Sequence, residues 1–327
     1  MDQPNNDEDL ISYRTLTYIA IFFSLLSGFI TSLSIFVIDV PYFCVFDICT
    51  LIITFGSYIM HPAYRWKSLV VECLISFVLG FSGVFGYYLF KTHFMQFGIF
   101  LSSLSLYHMA EYLFVCSFHY KIISYNSFLI NQSIYYMAAT ALGCLEYFVE
   151  YFFFTNKKEI TCLIILGLCG MIIGQVFRIG ALFSGGKSFH HIVQKERSPD
   201  HVLMTTGLYS FCRHPGYLGW YLWAVSSQLL MVNPICLILY PIACHQFFSP
   251  RIAYEEDLLI KMFKLDYVNY MKRVPTRIPF IPGLDITKNN IGPFKLRSNH
   301  SIPFTVSEKA SSDIPSAVCD GIRTCIN

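Results

Sequence analysis

Two short polar blocks in an otherwise greasy chain carry the residue types that could do chemistry. The first is Gly207-Leu208-Tyr209, followed by Arg213-His214-Pro215-Gly216-Tyr217-Leu218-Gly219-Trp220. The second is Arg251 and Glu255, four apart and therefore on one face of a helix. Helix entry alone explains part of the first block: proline suits a first turn, arginine the headgroup level, tryptophan the aromatic belt of a span. That covers Arg213, Pro215 and Trp220. It does not cover His214, Gly216, Tyr217 and Gly219 together, because two glycines at a span entrance cost helix propensity unless backbone or a ligand comes close. As an exposed ion pair, Arg251 and Glu255 would contribute only about 0.3 kcal/mol. The alternative is that each faces a cavity at the membrane edge. Arg251 would then meet a carboxylate, whose two oxygens match a planar guanidinium fork, and Glu255 a cationic or hydroxylated ligand. Arg178 lies inside or at the end of an apolar run, so it either has a partner or snorkels to the interface. His190, His191 and His201 are dispersed with no carboxylate at ligand spacing, which argues against a metal site.

These residues need elements to position them, and composition says what kind. With 54% hydrophobic and only 13% charged residues, the chain falls in the integral membrane class. Apolar runs long enough to cross a ~30 Å hydrocarbon core as helix recur at Leu16–Ile38, Tyr42–Met60, Leu69–Phe90, Phe94–Phe118, Ser127–Phe154 and Ile160–Phe183. A tight pair follows at Tyr217–Met231 and Pro234–Phe248. The expected fold is an all-α polytopic membrane protein of about eight transmembrane helices, the last two a C-terminal hairpin, with a cytosolic loop and helix. Four regions follow: a cytosolic head, 1–15; six spans, 16–183; a region with the last two spans and the polar loop and helix around them, 184–283; and a Ser-, Asn- and Gly-rich tail, 284–327, that reads as disordered. Within the third region the chain turns polar from Ser184 to His201, the longest hydrophilic stretch between spans, and long ordered loops tend to carry function. Ser249-Pro250 reads as a new helix start, opening an amphipathic helix from Arg251 to Arg273.

The acidic head before the first run lacks the basic segment of a signal peptide, so that run is expected to be retained. Arg14, Arg65, Lys67, Lys121, Lys187, Lys195, Arg197, Arg213, Arg251 and the Lys261–Arg277 cluster fall on one side, against Lys91, Lys157 and Lys158 on the other. By the positive-inside rule the termini are cytosolic. A net charge of +2 suggests no nucleic-acid partner. The twelve cysteines form no Cys-x-x-Cys pair and read as small apolar fillers.

Beyond single residues, the stretch Phe189-His190-His191-Ile192-Val193-Gln194, then His201 to Tyr209, then Arg213-His214-Pro215-Gly216-Tyr217, resembles the isoprenylcysteine carboxyl methyltransferases. So does Arg251 … Glu255-Glu256 … Tyr267 … Tyr270-Met271-Lys272-Arg273-Val274-Pro275-Thr276 … Ile278-Pro279-Phe280, the more discriminating part, since Arg-His-Pro-x-Tyr also recurs in other membrane methyltransferases and in sterol reductases. The likeness is dense from about Gly174 to Gly283, and His190 and Lys264 depart from the family pattern, where Asn and Gly are usual.

The resemblance implies a multi-pass enzyme of the endoplasmic reticulum membrane, with a cytosolic cofactor-binding loop and helix and with 184–283 as a catalytic methyltransferase region facing the cytosol. It would methylate the C-terminal carboxylate of prenylated cysteine in proteins such as small GTPases and lamin-like proteins, using S-adenosyl-L-methionine. Carried over by position, Gln194, His201, Val202, Leu203, Met204, Tyr209, His214, Pro215, Gly216, Tyr217 and Glu255 would line the cofactor; Arg251 would hold substrate, with Arg178 a second candidate for that centre. A phospholipid N-methyltransferase, a sterol reductase and a transporter remain as rival readings.

Overall fold

Glycine spacing, more than hydrophobicity, decides how the apolar helices of this chain meet, because in lipid it is close backbone approach that holds helices together. The computed structural model describes residues 7–38, 50, 52, 55–56, 59–61, 65–131, 133–154, 160–191, 193 and 201–285. Nine helices account for most of them: α1 Asp7–Leu33, continued by a π-helical turn Ser34–Ile38; α2 Trp66–Phe90; α3 Met95–Phe118; α4 Ile134–Phe153; α5 Thr161–Gly185; α6 Leu208–Phe211; α7 Pro215–Leu230; α8 Pro234–Phe263; and α9 Leu265–Arg273. Among the described residues there is no strand, only an isolated bridge between Ile278 and Ile281.

Two packed groups result. In the first, α1, α2 and α3 run antiparallel: Gly28 abuts the backbone of Phe77, Gly80 that of Leu25, and Gly86 faces Gly98. In the second, α5 and α7 cross so closely that a Cβ on Gly167 would lie 2.3 Å from the Leu230 nitrogen, and one on Gly174 2.5 Å from that of Trp223. The pairs run antiparallel, 167 against 230 and 174 against 223, so the far end of α5 must meet the start of α7. There a Cβ on Gly219 would lie 2.5 Å from the backbone nitrogen of Arg178. Gly219 is thus required by backbone approach, one of the two explanations its position at a helix entrance allowed. The flank of α5 away from α7 is exposed and apolar, at Leu166, Ile172, Ile173 and Val176, as a lipid-facing surface is.

Among the described residues, four helices are long and apolar enough to cross a membrane: Ile11–Phe36, Trp66–Phe90, Met95–Phe118 and Thr161–Ser188. They coincide with four of the expected spans. The expected span Tyr42–Met60 and the tail beyond 285 lie largely or wholly outside the described residues. The fifth starts later than expected, at Ile134, after a 3-10 turn at Tyr125–Phe128. The hairpin helix α7 has 16 residues, about 24 Å at 1.5 Å per residue, and buries Ser227 and Gln228.

One expectation is corrected. Ser249-Pro250 does not start a helix: α8 runs unbroken for 30 residues with Pro241 and Pro250 inside it. A proline compatible with a first turn also sits inside a helix when packing compensates for the lost hydrogen bond. Here the buried stripe Cys244, Phe248, Ile252, Glu256, Ile260 continues through the proline at steps of four. The helix ends at Lys264, whose positive φ of 52° turns the chain into α9.

Candidate active site

The α5–α7 crossing puts Arg178 against the first turn of α7, and α8, returning antiparallel to α7, brings Arg251 to the same level. Arg178 is buried; its Nε donates to Glu111 Oε1 at 2.6 Å and one terminal nitrogen to the Gly216 carbonyl at 3.3 Å. It is partnered, not snorkelling. Arg251 Nε donates to the Tyr217 hydroxyl at 2.9 Å and a terminal nitrogen donates to the His191 carbonyl at 2.8 Å. The same hydroxyl donates to Glu255 Oε2 at 2.7 Å. Tyr217 therefore joins Arg251 and Glu255 into one chain, with His214 stacked on its ring at 5.6 Å.

A second carboxylate, Glu256, organises the wall behind them. It is fully buried and accepts from Arg213 Nε at 2.8 Å and the Leu284 amide at 2.6 Å, with His214 Nε2 3.0 Å away. Arg213 also donates to the carbonyls of Val274, at 2.7 Å, and Pro282, at 3.1 Å. Arg213 is therefore no headgroup arginine: it is a buried cross-link tying the segment after α9 to the start of α7, since buried carbonyls need donors once water is gone. Gly283 completes the turn with φ 83°, where a Cβ would fall 2.4 Å from Glu256 Oε2. Burial alone would raise the Glu256 carboxyl; the His214 hydrogen bond and the Arg213 charge more than offset it and hold the group below its ordinary value.

All of these elements wall one cavity of about 840 Å³. Of the residues singled out in the sequence, Arg178, His201, Val202, Leu203, Met204, Tyr209, His214, Pro215, Gly216, Tyr217, Arg251 and Glu255 line it. Gln194 lies outside the described residues. Trp220, expected in an aromatic belt, faces the cavity instead, edge-on to Phe248 at 5.3 Å.

The cavity changes character along α8. Tyr240, Cys244, Phe247, Phe248, Arg251, Glu255, Leu259 and Phe263 all line it, so it follows one helix for about 35 Å at 1.5 Å per residue. Up to Phe248 its neighbours are mostly apolar and aromatic, with Tyr136 on α4 and Trp220, Trp223 and Ala224 on α7, and the hydroxyls of Thr140 and Ser227 among them. From Arg251 onward they are His190, His191, His201, Tyr209, Tyr267 and Tyr270. Burial pushes the imidazoles of His190 and His191 down to about 4, so both are neutral at pH 7.

Sequence reasoning missed Glu111 and Glu256 as parts of the site. The signal was present for both: Glu111 is an ionisable residue inside an apolar run, and Glu256 falls on the buried four-step stripe of α8, so each needed a buried cationic partner.

Comparison with known proteins shows the family. Residues 163–261 match the model of the isoprenylcysteine carboxyl methyltransferase family. The chain is similar to the protein-S-isoprenylcysteine O-methyltransferase of Mus musculus, 37% identical over 228 residues that cover 70% of this chain and 80% of that one. It is equally close to the enzyme of that name from Saccharomyces cerevisiae, 37% identical over 68% of this chain and 95% of that one. A solved structure of a eukaryotic intramembrane Ras methyltransferase, an isoprenylcysteine carboxyl methyltransferase, superposes with a TM-score of 0.71 at 31% identity, covering 84% of this chain and 99% of that one.

Proposed function

The chain belongs to the isoprenylcysteine carboxyl methyltransferase family, and from that premise we propose that it methylates the C-terminal carboxylate of prenylated cysteine in this cavity, with S-adenosylmethionine as donor. One observation supports the reading: a single helix lines the cavity, apolar and aromatic from Tyr240 to Phe248 and then carrying Arg251 and Glu255 at the next two turns, so a lipid tail and a polar cofactor would meet at one guanidinium.

The apolar half suits a prenyl chain. At about 0.8 kcal/mol per buried CH₂, fifteen carbons gain on the order of 10 kcal/mol from staying out of water. The polar half suits the cofactor by its donor set. Glu255 offers a carboxylate to an ammonium or to ribose hydroxyls, the neutral imidazoles offer donors and acceptors, and Tyr217, Phe263 and Tyr267 offer aromatic faces to a planar base or a sulfonium. There His201, Val202, Leu203, Met204, Tyr209, His214, Pro215, Gly216, Tyr217 and Glu255, with Gln194, would hold it.

S-adenosylmethionine would supply a methyl carbon on a positively charged sulfur; its transfer to a carboxylate oxygen would break the sulfur–methyl bond, leave neutral S-adenosylhomocysteine and need no proton transfer, an α-carboxyl with pKa near 3.3–3.7 being ionised already at neutral pH. The protein's task is thus placement and dehydration. Arg251, fixed on one edge by Tyr217 and the His191 carbonyl, orients the carboxylate. Tight clamping would slow the reaction, because the substrate's negative charge disappears on the way to the ester.

We further propose eight spans in the endoplasmic reticulum membrane, residues 184–283 facing the cytosol, and processed prenylated proteins such as small GTPases and lamin-like proteins as substrates. The lysine and arginine distribution supports that orientation. The test is transfer of labelled methyl from S-adenosylmethionine to N-acetyl-farnesylcysteine by membranes containing this chain. Base-labile label in the product is expected for an ester; no label, or base-stable label, refutes the reading.

A further inference from the structure

Glu111 on α3 is completely buried within a candidate membrane span and does not line the cavity, yet it bears on two of the three guanidinium groups that do, Arg178 and Arg251; the third, Arg213, is held by Glu256. Glu111 Oε1 accepts from Arg178 Nε at 2.6 Å. Its Oε2 has no hydrogen-bond partner and lies 3.5 Å from His191 Nε2, which also has none. The carbonyl of that same His191 receives Arg251 at 2.8 Å. One carboxylate therefore holds Arg178 directly and abuts the residue that fixes Arg251.

We infer that Glu111 is a positioning residue for methyl transfer: it fixes the Arg178 guanidinium at the substrate carboxylate and offsets its charge, so that the carboxylate is oriented without being held too tightly to react. The inference rests on the proposed function and adds a division of labour to it. A guanidinium whose charge is not offset attracts the carboxylate but not the ester that replaces it, and so lowers the ground state more than the transition state. In a low-dielectric cavity that difference is large. The site compensates it twice. Glu111 faces Arg178, and Glu255 reaches Arg251 through the Tyr217 hydroxyl.

The experiment is Glu111→Gln, which keeps shape and removes charge, in the full-length protein. Expected is a kcat about 100-fold lower, as for a misplaced reacting group, with tighter, not weaker, binding of N-acetyl-farnesylcysteine measured in the presence of S-adenosylhomocysteine. Glu111→Asp is expected to recover part of kcat. A purely structural role would weaken rate and binding together, and that result, or an unchanged kcat, overturns the inference. Because a lone buried guanidinium can unfold the variant, the Glu111→Gln, Arg178→Gln double variant is compared with Arg178→Gln alone. Agreement of kcat within about twofold supports action through Arg178, and additive losses overturn it. Absence of transfer by the unaltered protein would overturn the function itself, and this inference with it; transfer by the unaltered protein and by Glu111→Gln alike overturns this inference alone.

Discussion

Replacing Arg251 separates orientation of the substrate from binding of the cofactor. In Arg251→Ala the site loses the guanidinium fork, its 2.9 Å bond to the Tyr217 hydroxyl and its 2.8 Å bond to the His191 carbonyl. The Tyr217 hydroxyl still donates to Glu255, so the cofactor half keeps its geometry. Loss of one preorganised donor at a reacting oxygen costs about 3–4 kcal/mol, or roughly 10²–10³ in rate, and kcat/KM for N-acetyl-farnesylcysteine should fall toward the upper end of that range. Arg251→Lys keeps the charge but cannot reach both anchors in one plane, so its loss should sit near the lower end. Initial rates at saturating S-adenosylmethionine measure both variants, and calorimetry with S-adenosylhomocysteine should show cofactor affinity nearly unchanged. Glu255→Ala should do the reverse, weakening cofactor affinity first. Full activity of purified Arg251→Ala, or cofactor binding lost in proportion to rate, would refute the division of the cavity at this residue.

Arg213→Met leaves the Glu256 carboxylate buried without its guanidinium and unties the segment after α9. Breaking such a pair costs about 3–5 kcal/mol, so the thermal midpoint in detergent should drop clearly, and an unmoved midpoint would count against the cross-link. His191 sets a pH dependence whose sign follows from its depressed value. Above about pH 6.5 the imidazole is neutral folded or unfolded; as pH falls from there toward about 4, only the unfolded state takes up the proton, so stability is lost. The loss is at most about 3 kcal/mol, and His191→Gln should flatten stability against pH over that window; identical slopes for both proteins would contradict it. Ala224→Leu fills the apolar half of the cavity without touching the polar half. Overpacking of about 1–3 kcal/mol should appear as a raised KM for the prenyl substrate with S-adenosylhomocysteine affinity intact, whereas equal losses of both would show that the halves are not separate.

The helical membrane class and four of the spans were legible because apolar runs near twenty residues have few other uses. The residues of the polar blocks were legible as a group because His214, Gly216, Tyr217 and Gly219 exceed what a helix entrance needs. The hairpin boundaries were not: α7 is shorter than a full span, and Ser249-Pro250 carries the same local signal whether a helix begins there or passes through. Gly219 shows a different limit. Sequence could require a close approach at that position without saying to what, and only the antiparallel crossing identifies the backbone of Arg178 as the neighbour. Arg213 reads as a headgroup residue from its place before Pro215, because nothing local reveals that carbonyls sixty residues later need its donors.

The unbroken course of α8 also decides what Arg251 can do. A helix starting at Ser249 would have put Arg251 in a first turn, where unpaired amides and the positive end of the dipole disfavour a cation, with no fixed register to the apolar wall. As built, Arg251 follows Phe247 by one turn of about 5.4 Å, and its guanidinium carbon lies 5.7 Å from the Phe247 ring centre and 5.8 Å from that of Tyr217. In the proposed function, the separation between the surface that would receive a lipid tail and the group that would receive a carboxylate is therefore set by helix pitch and not by loop conformation. A prenylated cysteine has the same fixed order, tail, sulfur, then carboxylate, so on that proposal substrate would be measured against a ruler whose marks are side chains of a single helix. Pro241 and Pro250 fit this account: each removes a backbone hydrogen bond, and the helix persists through both because its buried stripe is held on one side by α7 and the segment after α9.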